Sequence, residues 1–331
     1  MQKETMVKDP LKPTTFLEFL PVSLFGADMG LCALCFCWRL AFKQWHFIGV
    51  WPGEIVGAIA VLAFILLIIT YTVKLVKYPE LVKAEFYNDV SVCFFATVII
   101  SILLIPGVLL PYIRSLAIGM WLVGSLLMLV FAWYVLRRWL DNKQQMENAL
   151  PVWILPVVGT LDVPIVGNNL GLEIVHEYCL MFFGVGILFA LILIGIIISR
   201  LMFKPSLPVA IQPTLLILTG PMALAYNSYV GLMHGSQDIF SSSLFYFNLF
   251  LLALLGSKVL LVFKSCPFKV SWWSVSFPLT AITITAFRYA SYHNDHVHLA
   301  MAALLLLVTT SVIIFLFFQT WFRIIKGTFA Q

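Results

Sequence analysis

The chain has 331 residues, 62% of them hydrophobic and only 11% charged, with a formal net charge of +5. Soluble domains are about half apolar and a quarter charged, so this composition excludes a soluble globular domain and indicates an integral membrane protein. The cationic excess sits at the ends of apolar runs and carries no nucleic-acid signal.

In chain order, residues 1–15 form a charged stub, "QKETMVKDPLKP" after Met1, without the pattern of a secretory signal. A helix of about 20 apolar residues crosses about 30 Å of hydrocarbon. Ten such runs follow, over 16–42, 50–76, 90–111, 114–138, 151–171, 178–203, 207–232, 241–264, 269–291 and 297–322. Residues 16–322 are expected to be one transmembrane domain, and 323–331 a short tail. The loops leave no room for a soluble catalytic or regulatory domain. Of the 20 Lys and Arg residues, all but Arg39, Lys43, Arg114 and Arg288 fall on the side of the termini. That bias places both termini in the cytoplasm and fits an even number of spans.

Proline removes a helix hydrogen bond and bends the helix. In lipid the freed carbonyl is tolerated only where protein or water meets it. The mid-span prolines are Pro21, Pro106, Pro156, Pro164, Pro213, Pro221 and Pro278, and each falls in an odd-numbered span. Gly26, Gly107, Gly159 and Gly220 accompany them. The even spans are smooth, as in "GILFALILIGIII". The pattern predicts five like hairpins in a quasi-fivefold arrangement. Pro-kinked odd helices would line a central pore and even helices would face lipid. All five hairpins run the same way, so their axis lies along the membrane normal. An irregular bundle whose prolines only shape packing is the other reading.

No HExxH, nucleophile elbow or phosphate-cradling glycine loop is present, so no enzymatic activity, cofactor or metal is expected. Cys32, Cys35 and Cys37 crowd one apolar span; with Cys93, Cys179 and Cys266 they read as buried thiols. "HNDHVH" (293–298) reads as a solvated turn. Charged residues within spans are costly and point to function. Asp28 is mid-span in "FGADMG", Asp162 stands nearer an outer end in "GTLDVP", and Lys258 is in the eighth span. Two readings stand for the aspartates: ion-interacting or proton-coupling groups, or acids that pair with Lys258 or reach a wet vestibule. The position of Asp162 favours the second. Ser23, Thr97, Ser101, Thr160, Thr214, Thr219, Ser276, Thr280 and Thr283 suit transient bonding of an anion, or else tie helix to helix.

"LPVSLFGADMGLCALCFCWRLAF" (20–42) resembles the first span of the tellurite-resistance permeases, the TehA family, through Pro21, Phe25-Gly26, Gly30 and Trp38-Arg39. "KYPELVKAEF" (77–86) resembles that family's segment before the third span, and "PFKVSWWSVSFPLTAITITA" (267–286) its aromatic-rich lead into the ninth. The likeness is colinear over nearly the whole chain. Plant guard-cell slow anion channels, yeast malate permease and sulfite efflux proteins share the family. The resemblance implies ten helices in five hairpins and a central pore closed by a phenylalanine of the ninth span, here Phe277. It also implies a homotrimer in the bacterial inner (cytoplasmic) membrane with one pore per subunit. Pro278 stands where bacterial relatives have glycine and the plant channels proline. Asp28 replaces an apolar residue of the family.

The expected function is passive conduction of small anions through a pore gated by Phe277. Chloride or nitrate come first, then dicarboxylate, sulfite or tellurite. Pore-lining kinks are expected at Pro21, Gly26, Pro106, Gly107, Pro156, Gly159, Pro213, Gly220 and Pro278. At α-helical rise Phe277 lies about 12 Å beyond Lys269. The alternative is a proton-coupled secondary anion or dicarboxylate transporter that uses an intramembrane aspartate, Asp28 above all. The expected partners are the anions and the lipid bilayer.

Overall fold

Apolar runs without a breaker wind as continuous α-helix, whereas the proline-bearing runs do not. In the computed structural model, residues 16–171, 174–263 and 266–326 are described. The helices in chain order are α1 (Val22–Gln44), α2 (Trp51–Lys77), α3 (Ser91–Leu109), α4 (Arg114–Asp141), α5 (Pro151–Gly167), α6 (Val175–Phe203), α7 (Val209–Leu232), α8 (Ile239–Phe263), α9 (Val270–His293) and α10 (His296–Ile325). Among the described residues there is no strand. All but the shorter α5 are long and apolar enough to cross a membrane, which makes 9 such helices among the described residues.

The even helices are α-helical throughout. Each odd helix opens with 3₁₀ turns, at Val22–Leu24, Ser91–Phe94, Pro151–Ile154, Val209–Thr219 and Val270–Val275, and then becomes α-helix. A second 3₁₀ turn, Gly159–Leu161, interrupts α5. The prolines therefore act differently from the expected mid-helix kinks. Only Pro106 and Pro213 lie inside a helical segment. Pro156 and Pro221 sit in the first two positions of theirs, and Pro278 is the third residue of Ser276–His293. The missing N–H is harmless in a first turn. What bends these spans is the change of winding.

The 3₁₀ turns also lengthen the odd helices, because they rise about 2.0 Å per residue against 1.5 Å. At those rises the 17 positions of α5 reach about 29 Å, near the hydrocarbon thickness.

Between 61% and 83% of the residues in the apolar stretches of α1, α3, α7 and α9 are buried, against 11% to 39% in the even helices. Contacts run from α1 to α3, α3 to α5, α5 to α7 and α7 to α9, and α9 returns to α1. Each odd helix also packs on the even helix that follows it. The odd helices thus form a closed inner ring clad by the even ones.

Several span ends shift from the sequence reading. α5 stops at Gly167 instead of 171, and α6 starts at Val175. α10 runs to Ile325, so Arg323 belongs to that helix and not to a tail. The stub 1–15, the tail end 327–331 and Lys264 lie outside the described residues. A short helix, Pro79–Tyr87, occupies the loop before α3. Its Glu85 accepts from the Val22 amide (2.8 Å) and from Tyr71 (3.0 Å) and pairs with Lys74 (3.2 Å). Lys74 donates to the Leu20 carbonyl at 2.6 Å. The network pins the start of α1.

At the other end, Asp238 and Asp295 cap α8 and α10 by accepting from the amides of Ser241 (2.9 Å) and Val297 (3.1 Å). "HNDHVH" is therefore a capped helix start, with His298 hydrogen-bonded to Asp295. All six cysteines are buried and unpaired.

Candidate functional site

Five odd helices that open as 3₁₀ turns, narrower than α-helix, leave their axis partly unfilled at that end. A lower cavity of about 640 Å³ lies among the N-terminal halves of the odd helices. All five contribute to its wall, among others Gly26 from α1, Thr97 from α3, Asp162 from α5, Gly220 from α7 and Phe277 from α9. An upper space lies among their C-terminal ends, in two adjoining parts of about 910 and 1430 Å³. The parts share Leu40, Lys43, Ile165, Asn169 and Arg288. Between lower and upper spaces the ring is closed by buried side chains, among them Ala33, Leu104, Asn227 and Ala281. Asn227 ties α7 to α9 there, donating to Thr285 Oγ1 at 2.9 Å and to the Ala281 carbonyl at 3.3 Å.

Phe277 is buried and lines the lower cavity at its deep end, with Pro278 beside it. The turn from Val270 to Val275 is 3₁₀, so Phe277 stands about 15 Å beyond Lys269, deeper than α-helical rise alone gives. Gly26, Gly159 and Gly220 also line the lower cavity, and Gly107 lines the upper one. A Cβ on Gly26 or Gly220 would meet nothing within 4 Å, so both glycines open onto free space. Gly159 instead is packed against Met128. Pro21, Pro106, Pro156 and Pro213 line neither space.

The two aspartates exchange roles. Asp28 is buried but faces away from both cavities, beside Ser101 and Cys32, whose Sγ is 3.9 Å from Oδ2. Asp162 is equally buried and lines the lower cavity. Neither of its carboxylate oxygens has a hydrogen-bond partner among the described residues. Lys258, the suggested partner for an intramembrane acid, is exposed on α8.

A hydroxyl has one hydrogen to donate, and most on the odd helices are spent on backbone carbonyls. Thr97 donates to Phe94 (2.6 Å), Thr160 to Val157 (2.7 Å), Ser276 to Trp273 (2.7 Å) and Thr280 to Phe277 (2.8 Å). Ser101, Thr214, Thr219 and Thr283 do likewise. All of these bonds but that of Ser101, which reaches the Phe25 carbonyl of α1, stay within one helix; helix-to-helix ties come from further contacts of Thr97 with Val22 and Ser276 with Gly26 (3.4 Å each) and of Thr283 with Thr309 (3.0 Å). Ser23 lines the lower cavity.

The upper space has a character that the sequence reading did not assign. Arg39, Lys43 and Arg288 line it, and among the described residues no carboxylate does. Arg39 is fully engaged with Glu54 (2.9 Å) and with the carbonyls of Gly107 and Val108 (3.0 Å each). Arg288 donates to the Asn227 carbonyl at 2.9 Å, and Lys43 is exposed. The signal was present in the sequence: these are three of the four cations that fall on the side away from the termini. Arg114, the fourth, donates to the Leu170 carbonyl at the same end.

A helical membrane protein with a closed inner ring, a cavity at each end of that ring and a cationic mouth belongs to the class of membrane channels and transporters. The family of the SLAC1 type, described as voltage-dependent anion channel, matches residues 20–321, and the chain belongs to this family. It is 26% identical over 325 residues to the S-type anion channel SLAH3 of Arabidopsis thaliana, covering 96% of this chain and 50% of that one. Against the guard cell S-type anion channel SLAC1 of the same plant it is 26% identical over 320 residues, covering 92% and 56%. Against the tellurite resistance protein TehA homolog of Haemophilus influenzae it is 25% identical over 319 residues, covering 94% and 92%. The chain spans about half the length of the plant relatives and nearly all of the bacterial one.

Proposed function

We propose that the chain is a passive conduit for small anions along the axis of the odd-helix ring, closed by Phe277. The observation that supports this most directly is the stacking of two cavities inside one ring, with cations and, among the described residues, no carboxylate lining the upper mouth. Such a mouth raises the local concentration of anions. An apolar ring in a narrow passage excludes water, and an ion cannot cross it cheaply. The glycines at Gly26 and Gly220 leave free space on the wall of the lower cavity. The names of the relatives, anion channels and a tellurite resistance protein, favour an anion as cargo, for which chloride and nitrate are our first candidates, then dicarboxylate, sulfite or tellurite.

The length of α5 supports a tenth crossing and five hairpins around a quasi-fivefold axis. With an even number of crossings, the Lys and Arg bias puts both termini in the cytoplasm of the bacterial inner membrane. A homotrimer with one conduit per subunit is the assembly we propose from the family resemblance.

The test is current carried by chloride and nitrate across planar bilayers, with insertion verified. Phe277→Ala should open a constitutive anion conductance and Phe277→Leu a smaller one. A correctly inserted alanine variant as silent as the parent removes Phe277 as the gate. A reversal potential that follows the cation gradient removes the anion reading.

A further inference from the structure

Buried polar groups in proteins are hydrogen-bonded almost without exception. On the odd helices this rule holds for Ser228, which donates to the Leu161 carbonyl (2.6 Å), and for the amide of Asn227, which donates to Thr285 (2.9 Å), and it fails at single atoms of Asp28, Trp153, Tyr226 and Asn227. Asp162 departs from it with both oxygens at once, and it does so on the wall of a cavity. Among the described residues it is also the sole ionisable one lining that cavity. Three of the four lining hydroxyls, Thr97, Ser271 and Ser274, are committed to backbone carbonyls. The lower cavity thus offers an anion few hydrogens, and the carboxyl of Asp162 carries one when protonated.

No charged neighbour explains Asp162 as half of an ion pair. From α1, Asp28 turns toward Ser101 and Cys32. From α6, Tyr178 bonds Ser125 at 2.9 Å and Cys179 lies against Gly167. From α4, Trp121 bonds the Val163 carbonyl at 2.9 Å. On α7, Tyr226 lies beside Tyr289 and Phe245, not on the cavity. α3 and α9 bring no ionisable side chain to the cavity.

We propose that Asp162 is a proton-sharing oxyanion site: its acid form donates O–H to an oxyanion held in the lower cavity, and its ionised form repels that anion. An O–H···O⁻ bond is short and charge-assisted, stronger than a neutral hydrogen bond. The proton is shared and not transferred, so no co-reactant is needed. The site accepts oxyanions, such as nitrate or a carboxylate, in preference to halide. This rests on the conduit proposed above.

The experiment measures nitrate and chloride flux into proteoliposomes from acidic to mildly alkaline pH, in the parent and in a Phe277→Ala background. With Asp162 present, nitrate flux should rise several-fold as pH falls, and the nitrate-to-chloride ratio should rise with it. Asp162→Asn keeps a donor that cannot ionise, so its flux should be independent of pH. Asp162→Leu should lose the nitrate preference. Flux that keeps the parent's pH profile in Asp162→Asn, or its nitrate preference in Asp162→Leu, overturns the assignment and leaves the conduit standing. Absence of anion flux in every variant, Phe277→Ala included, overturns the conduit and this site with it. If the Asp162 variants do not fold, the infrared C=O stretch of Asp28→Asn protein decides. Nitrate should shift the band of a protonated carboxyl, and an unmoved band rejects the site.

Discussion

Ser276 occupies the place that a side chain on Gly30 would take. An ideal Cβ built on Gly30 lies 2.6 Å from Ser276 Cβ and closer still to its Oγ. α1 and α9 touch there with nothing between them, one residue before Phe277. Gly30→Ala must push the helices apart, and overpacking of this kind costs about 1–3 kcal/mol. We expect a lower melting temperature and an altered Phe277 position, read as a raised resting conductance. Adding Ser276→Gly removes the clash and should restore both. A Gly30→Ala protein that melts and conducts like the parent would show that the contact is loose.

Gly26 and Gly220 face open cavity, while Gly119 and Gly195 face outward on α4 and α6. All four have nothing within 4 Å of a built Cβ, so a side chain can start at each without a clash at its first carbon. In a Phe277→Ala background, Gly26→Val and Gly220→Val should lower single-channel conductance by narrowing the lower cavity. Gly119→Val and Gly195→Val should leave it unchanged. Equal effects in the two pairs would take the lower cavity off the ion path.

Lys43 is the exposed cation of the upper mouth, and among the described residues no carboxylate lines that space. Its field is screened over about 10 Å at 0.1 M salt. Lys43→Gln should reduce anion current at low ionic strength, and the difference from the parent should shrink as salt rises. A deficit that persists unchanged in high salt would mean a local contact and not a field effect.

Two ion pairs on the Pro79–Tyr87 helix should differ widely in worth. Glu85 pairs with Lys74, whose side chain is 4% exposed; Glu80 pairs with Lys83, at 80% and 62% exposure. Breaking the first leaves a buried ammonium without its partner, which costs about 3 kcal/mol. The second is solvent-screened and contributes little. Glu85→Gln should lower the melting temperature in detergent markedly and Glu80→Gln hardly at all. Similar shifts for both would show that Lys74 finds compensation from the Leu20 carbonyl alone.

The capping carboxyls Asp238 and Asp295 are held below the usual aspartate range. The amides of Ser241 and Val297 are the first cause, followed by Tyr229 and His298. A depressed carboxyl contributes stability that is complete above its unfolded value of about 3.9 and is lost as pH falls through the lower folded value. The parent should therefore lose melting temperature on acidification below that region. Asp238→Asn with Asp295→Asn retains capping oxygens but no charge, and its acid limb should be flatter. Superimposable acid limbs would rule the caps out as the acid-sensitive groups.

Much of this protein follows from local chemistry that a sequence carries openly. Long apolar runs need lipid, and uninterrupted Leu, Ile and Val wind as α-helix wherever they are placed. Prolines in alternate spans separate inner from outer helices, because a freed carbonyl needs protein or water as a partner. What Pro278, Pro156 and Pro221 do is a different matter. Whether a proline breaks a helix or starts one depends on where winding changes from 3₁₀ to α, and neighbouring helices set that point. The same holds for the aspartates. Asp28 and Asp162 look alike in sequence, each an acid in an apolar span. Only the rotation of α1 and α5 within the ring turns one toward Ser101 and the other toward the cavity. Arg39, Lys43 and Arg288 lie far apart in the chain and form one mouth only because the ring closes α9 onto α1. Such convergence is a property of packing between distant segments, and no local pattern encodes it.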